Sequence, residues 1–166
     1  IDTAFQGSGA TGQEPMVSLG NDVLWGRHGK IETLVGVEAF GDLQSDDVSR
    51  WIANTIEDVK SWDVVYNPRT RKVFWWPEEG SEIYVFSRGL YNPVLNVKAT
   101  ALGQTLKQMS PWSKWTTDFG EGDFRATAQM LVRNPLTSLD EIWFGDNAGR
   151  IFRMDGEGSQ DGGSSN

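Results

Sequence analysis

Apolar positions along most of this chain alternate, or cluster in short runs bounded by turn residues, which is the spacing of β-strands. Asn21 to Leu34 reads as strand, turn, strand, with Gly26 and Gly29 bracketing the turn. Asp63 to Trp76 has the same form, with Asn67-Pro68 opening its turn, and Glu141 to Gly156 has it a third time. In each unit an acidic residue leads an apolar run and a polar turn follows. A basic and then a β-branched residue opens the return strand: Lys30-Ile31, Lys72-Val73 and Arg150-Ile151.

Aligned on those basic residues, the units stand about 42 and about 78 positions apart, the second close to twice 39, and a period near 40 is the length of one four-stranded propeller blade. No clean hairpin copy falls near residue 111. Instead Glu82–Ser87 and Pro111–Thr117 read as two further strands across a long insertion loop, residues 90–110. Residues 62–117 then make one enlarged four-stranded blade. Phe124 to Leu131 begins the next, whose central hairpin is 141–154. One stretch departs from strand spacing. Val48, Trp51, Ile52, Ile56 and Val59 recur at three- and four-residue intervals, which predicts an amphipathic helix over 45–59 with Ser45 as its N-cap.

The fold class expected is all-β: antiparallel, β-propeller-like blades in a partial propeller, with one short helix. The chain, 1–166, is expected to be a single propeller-like domain or fragment, with 1–15 and 155–166 as flexible, Gly- and Ser-rich ends. An antiparallel meander or sandwich, whose hairpins look alike because hairpins do, is the alternative. A closed propeller takes about 4 to 8 blades, and at roughly 40 residues each this chain holds about three to four. Closure from this chain alone is therefore not expected. With Ile1 in place of a methionine, the sequence reads as a piece of a longer polypeptide.

Composition sharpens this picture in three ways. The 8 Trp, 8 Phe and 3 Tyr suit pleated, half-buried surfaces, and 19 Gly suit a turn-rich chain. The absence of cysteine excludes disulfides, thiolate zinc sites and cysteine nucleophiles. A net charge of −8, from 15 basic against 23 acidic residues, argues against affinity built on many phosphate contacts, though not against a wall past which a polyanion slides. No run approaches the roughly 18 to 20 apolar residues of a membrane helix, and the start lacks a signal peptide's basic and apolar regions. A soluble chain with no membrane span is expected.

Catalytic patterns are scarce. His28 is the sole histidine and sits in a Gly-flanked turn, where a solvated side chain is expected rather than a catalytic base. Neither Ser8 nor any other serine lies in a Gly-x-Ser-x-Gly elbow. Asp118, Glu121 and Asp123 form an acidic loop with Gly120 and Gly122, and Asp140, Asp146 and Asp155 surround the third hairpin. None of these follows the ligand ladder of a calcium loop, so they read as solvated turn carboxylates. The Ser-x-Asp-x-Gly-x-Thr-Trp box of sialidase-type blades is absent. Trp75-Trp76 and Trp112/Trp115 must split between opposite sheet faces, with burial under a neighbouring blade expected for the outward members. Arg69, Arg71 and Lys72 form a basic hairpin tip, expected to be solvated. No catalytic, cofactor-binding or metal residue is assigned, no cofactor is expected, and an enzyme is not expected.

Four phrases carry a resemblance: Asn21 to Gly29, Tyr66 to Thr70, Ser110 to Trp115, and Phe144 to Gly156. Together, and in this order, they resemble the blade sequences of bacteriophage tail nozzle proteins of the tail tubular protein B type and related head-to-tail stabilisation proteins. The likeness touches about half the chain. It implies a structural virion protein of the phage tail: a homo-oligomeric ring, commonly sixfold, that contacts other tail proteins and retains or guides packaged DNA without binding it specifically. It transfers no catalytic residue. Known members are several times longer, so this piece would lack the platform region. The alternatives are a carbohydrate-binding or glycan-cleaving propeller acting on a host surface, and a cellular adaptor that binds peptides on a propeller face.

Overall fold

A computed structural model describes residues 15–20, 22–37, 42–78, 82–91, 110–116, 126–146 and 148–154. Among them are eleven strands in three antiparallel sheets, each a meander in which sequence neighbours pair. The first sheet orders β1 (Met16–Ser18), β2 (Val23–Arg27), β3 (Lys30–Val37) and β4 (Asp42–Asp47). The second orders β5 (Trp62–Asn67), β6 (Lys72–Pro77), β7 (Glu82–Ser87) and β8 (Trp112–Thr116). The third contains β9 (Ala126–Arg133), β10 (Asp140–Asp146) and β11 (Ile151–Met154). The antiparallel all-β expectation holds, and so does the grouping of 62–117 into one four-stranded sheet.

The sheets stack in chain order, and β5 touches β1 and β2 on one side and β9 and β10 on the other. The second sheet is consequently covered on both faces. Its unbroken apolar runs, Val73 to Trp76 and Ile83 to Phe86, reflect that, because a strand buried on both sides has no polar face to alternate. Val64, Val73, Trp75, Tyr84, Phe86 and Trp112 join Leu24, Ile31 and Ile56 in one core against the first sheet. Val65, Phe74, Trp76, Ile83 and Val85 join Ile142, Phe144 and Met154 in a second core against the third. Strand β10 shows the contrasting pattern, with Ile142, Phe144 and Asp146 buried and the residues between them half-exposed.

Close contact between the first two sheets depends on missing side-chain atoms as well as on apolar ones. The Trp62 indole lies on the backbone of β2 and its Nε1 donates to the Arg27 carbonyl at 3.0 Å. A Cβ on Gly26 would lie 2.7 Å from Trp62 Cδ1. Gly26 therefore belongs to a strand and to its packing, not to the turn it was expected to bracket. Gly29 does occupy the turn, at φ +64, with its N–H donating to the Val59 carbonyl at 2.8 Å. Trp112 Nε1 donates to the Val48 carbonyl at 2.6 Å, and Arg88 pairs with Asp22 at 2.6 Å, so indoles and an ion pair both bridge these sheets.

The helix expected over 45–59 is corrected to a single turn, α1 (Ala53–Ile56). Ser45, Asp46 and Asp47 instead pair along β3 with Leu34, Thr33 and Glu32. The Ile31 carbonyl accepts from the Val48 N–H, and the buried Ser49 hydroxyl oxygen accepts from the Ile31 N–H. The N-cap position of α1 falls to Ile52 rather than Ser45, and Ile52 makes no side-chain cap bond. The apolar set is still buried together: Val48 and Ile56 enter the first core, and Trp51, Ile52 and Val59 pack against it. Backbone pairing with an existing strand, unavailable to an isolated segment, outcompeted the helix. The long insertion loop begins with a 3-10 turn at Arg88–Leu90; residues 92–109 of it lie outside the described residues, as do 1–14 and 155–166 of the ends.

Candidate functional site

The third hairpin places its polar residues as a turn would. Asp146 is buried, and its Oδ1 accepts from the Ala148 and Arg150 N–H groups at 2.9 and 2.8 Å. Its Oδ2 accepts from Arg150 Nε at 2.6 Å. Burial pushes the carboxyl up, but the Arg150 backbone and guanidinium bonds outweigh that and hold it below its ordinary range. Both carboxylate oxygens are thus engaged in holding the β10–β11 turn. Asp140 opens β10, and its neighbour Glu141 accepts from Asn134 Nδ2 at 2.8 Å and Trp143 Nε1 at 3.0 Å, with Arg153 at 3.7 Å. The Asn134 bond leads in holding the Glu141 carboxyl low.

His28 is exposed on the β2–β3 turn. Asp118, Gly120, Glu121, Gly122, Asp123 and Asp155 lie outside the described residues. Among the described residues no group of three or more His, Cys, Asp or Glu side chains is placed to hold a metal ion. A polar group that the sequence did not single out links β7 and β8. Glu82 accepts from Tyr84 at 2.5 Å and from Lys114 at 2.7 Å. The Lys114 bond, then the Tyr84 bond, holds Glu82 low, while burial first and Glu82 second push the Tyr84 phenol up.

The four tryptophans of β6 and β8 are divided between the two cores. Trp75 and Trp76 are 0% and 3% exposed, Trp75 facing the first sheet and Trp76 the third. Trp112 and Trp115 likewise face opposite sides, in line with strand alternation. The β5–β6 tip is held by Asn67, whose Oδ1 accepts from the Arg69 and Thr70 N–H groups at 3.0 and 3.2 Å. Arg69 and Arg71 project exposed from it, while Lys72 lies 5.7 Å from the Trp115 ring centroid. A small cleft of about 60 Å³ between the second and third sheets is lined by residues including Arg69, Lys72, Trp115 and Asp140.

The outward face of the third sheet is the feature sequence reasoning missed. Met130 is 59% and Ile151 73% exposed there, beside half-buried Trp143. They line a trough of about 240 Å³ together with Ala128 and Gly145. Its signal was present in β9 and β10, where apolar residues fall on both faces even though only one is covered among the described residues. Among the described residues no helix is long and apolar enough to cross a membrane. No protein-family model, curated protein or solved structure matches the chain.

Proposed function

We propose that this chain is a structural virion protein, part of a phage tail nozzle or tail tube, whose three sheets are consecutive blades of a propeller. The observation that carries the reading is the stack itself: meanders in chain order, with the first strand of the second sheet beside the first strands of both others. A propeller brings the first strands of its blades together around an axis in this way. The resembling phrases fall on β2 and its turn, the β5–β6 turn, β8, and the β10–β11 hairpin, all of them strands or turns of the three sheets. The described carboxylates and tryptophans are largely taken up by turns, ion pairs and cores, which favours a role carried by shape and subunit contacts over one carried by chemistry. The acidic balance of −8 suits a channel wall that repels DNA and lets it pass.

Immunogold labelling of purified virions, with negative-stain microscopy of the isolated protein, tests this. Label at the tail and ring-shaped particles are expected. Absence of label from virions, together with glycan-array binding or release of reducing ends from capsule polysaccharide, would replace this reading with the glycan-directed propeller.

A further inference from the structure

We propose that the outward face of the third sheet pairs with the same face of a second copy of this chain, forming a two-fold dimer of stacked sheets. The inference is independent of the nozzle reading and stands or falls apart from it. Strand register puts Ala128 opposite Gly145 and Gly145 opposite Ile151, so two small residues floor the trough while Met130 and Ile151 stand at its flanks. One face thus carries both a hollow and exposed apolar side chains at its rim. Self-complementarity of that kind is what a two-fold contact requires, since the same patch serves both partners.

Charge points the same way. On this face Glu141 and Arg153 lie 3.7 Å apart and cancel, although the chain carries −8. Two copies meeting here bring no net charge of this pair together, and each Arg153 can face the partner's Glu141. The packing also continues an arrangement already in the molecule. The opposite face of β10 buries Ile142 and Phe144 against the second sheet, and a sheet on the outward face would repeat that layer.

Sedimentation velocity on the full chain tests the pairing. A dimer is expected within the range from about 1 to about 100 µM. Ile151→Asp and Met130→Asp, on different strands and both at exposed positions, should raise the dissociation constant about a hundredfold or more, because each buried carboxylate enters the interface twice. Far-UV circular dichroism and Tm should stay as in the parent chain. If one variant fails to fold, the other still decides the matter. A monomer at about 100 µM, or a dimer that survives both substitutions, overturns the proposal. A larger ring unaffected by both overturns it too, while leaving the nozzle reading intact.

Discussion

Gly26→Ala probes the contact between the first two sheets most directly. The added methyl would meet three atoms of Trp62, at 2.7, 2.9 and 3.0 Å, and Trp62 is fully buried. The ring cannot swing away without leaving the core and breaking its bond to the Arg27 carbonyl. Overpacking of this kind costs about 1 to 3 kcal/mol, and loss of the indole bond adds about 1. Replacing glycine within a strand returns about 0.5 to 1 kcal/mol by restricting the unfolded chain. The net expectation is a loss of about 1 to 3 kcal/mol, or roughly 2 to 4 °C in Tm for each kcal/mol at this size. Urea denaturation followed by tryptophan fluorescence should show a lower midpoint at unchanged m-value. Combining it with Trp62→Leu should give less than the sum of the single effects, since both act on one contact. A Gly26→Ala protein within about 0.5 kcal/mol of the parent, or additive behaviour in the double variant, refutes the argument.

Three further outcomes follow from the same contacts. Trp75→Ala and Trp76→Ala should each cost about 3 to 5 kcal/mol in denaturant titrations, because both rings are buried; a loss under about 1 kcal/mol for Trp76 would mean that its face is open. Asp146 binds its proton less readily folded than unfolded, so its contribution is present at neutral pH and lost as pH falls through and below the ordinary value of 3.8. Midpoints for the parent and Asp146→Asn should therefore converge on acidification, and a constant gap from neutral pH into that range would count against it. Tyr84 is displaced upward, so its contribution is present below the ordinary value of 10.0 and lost as pH rises beyond it. Ultraviolet titration of the folded protein should leave Tyr84 un-ionised near pH 10, with Tyr84→Phe unchanged in amplitude there; a drop in that amplitude would refute the burial argument.

Local chemistry was legible in the sequence wherever it acts within a few residues. The turns at Asn67-Pro68 and Asp146–Gly149, the strands over 82–87 and 112–116, and the opposite facing of Trp112 and Trp115 follow from turn propensity and two-residue alternation.

What required tertiary structure was the place of each element. The three similar hairpins occupy different positions: β2–β3 and β10–β11 follow a preceding strand, whereas β5–β6 begins its sheet. Their spacing therefore records repeated turn chemistry, while the sheets themselves start at Met16, Trp62 and Ala126. Residues 45–47 became strand because β3 offered a partner that local periodicity cannot register. The covered face of Trp76 and the open face of Ile151 also look alike in one dimension. Alternation determines which residues share a face, but only the stacking of one sheet on the next decides whether that face meets protein or water.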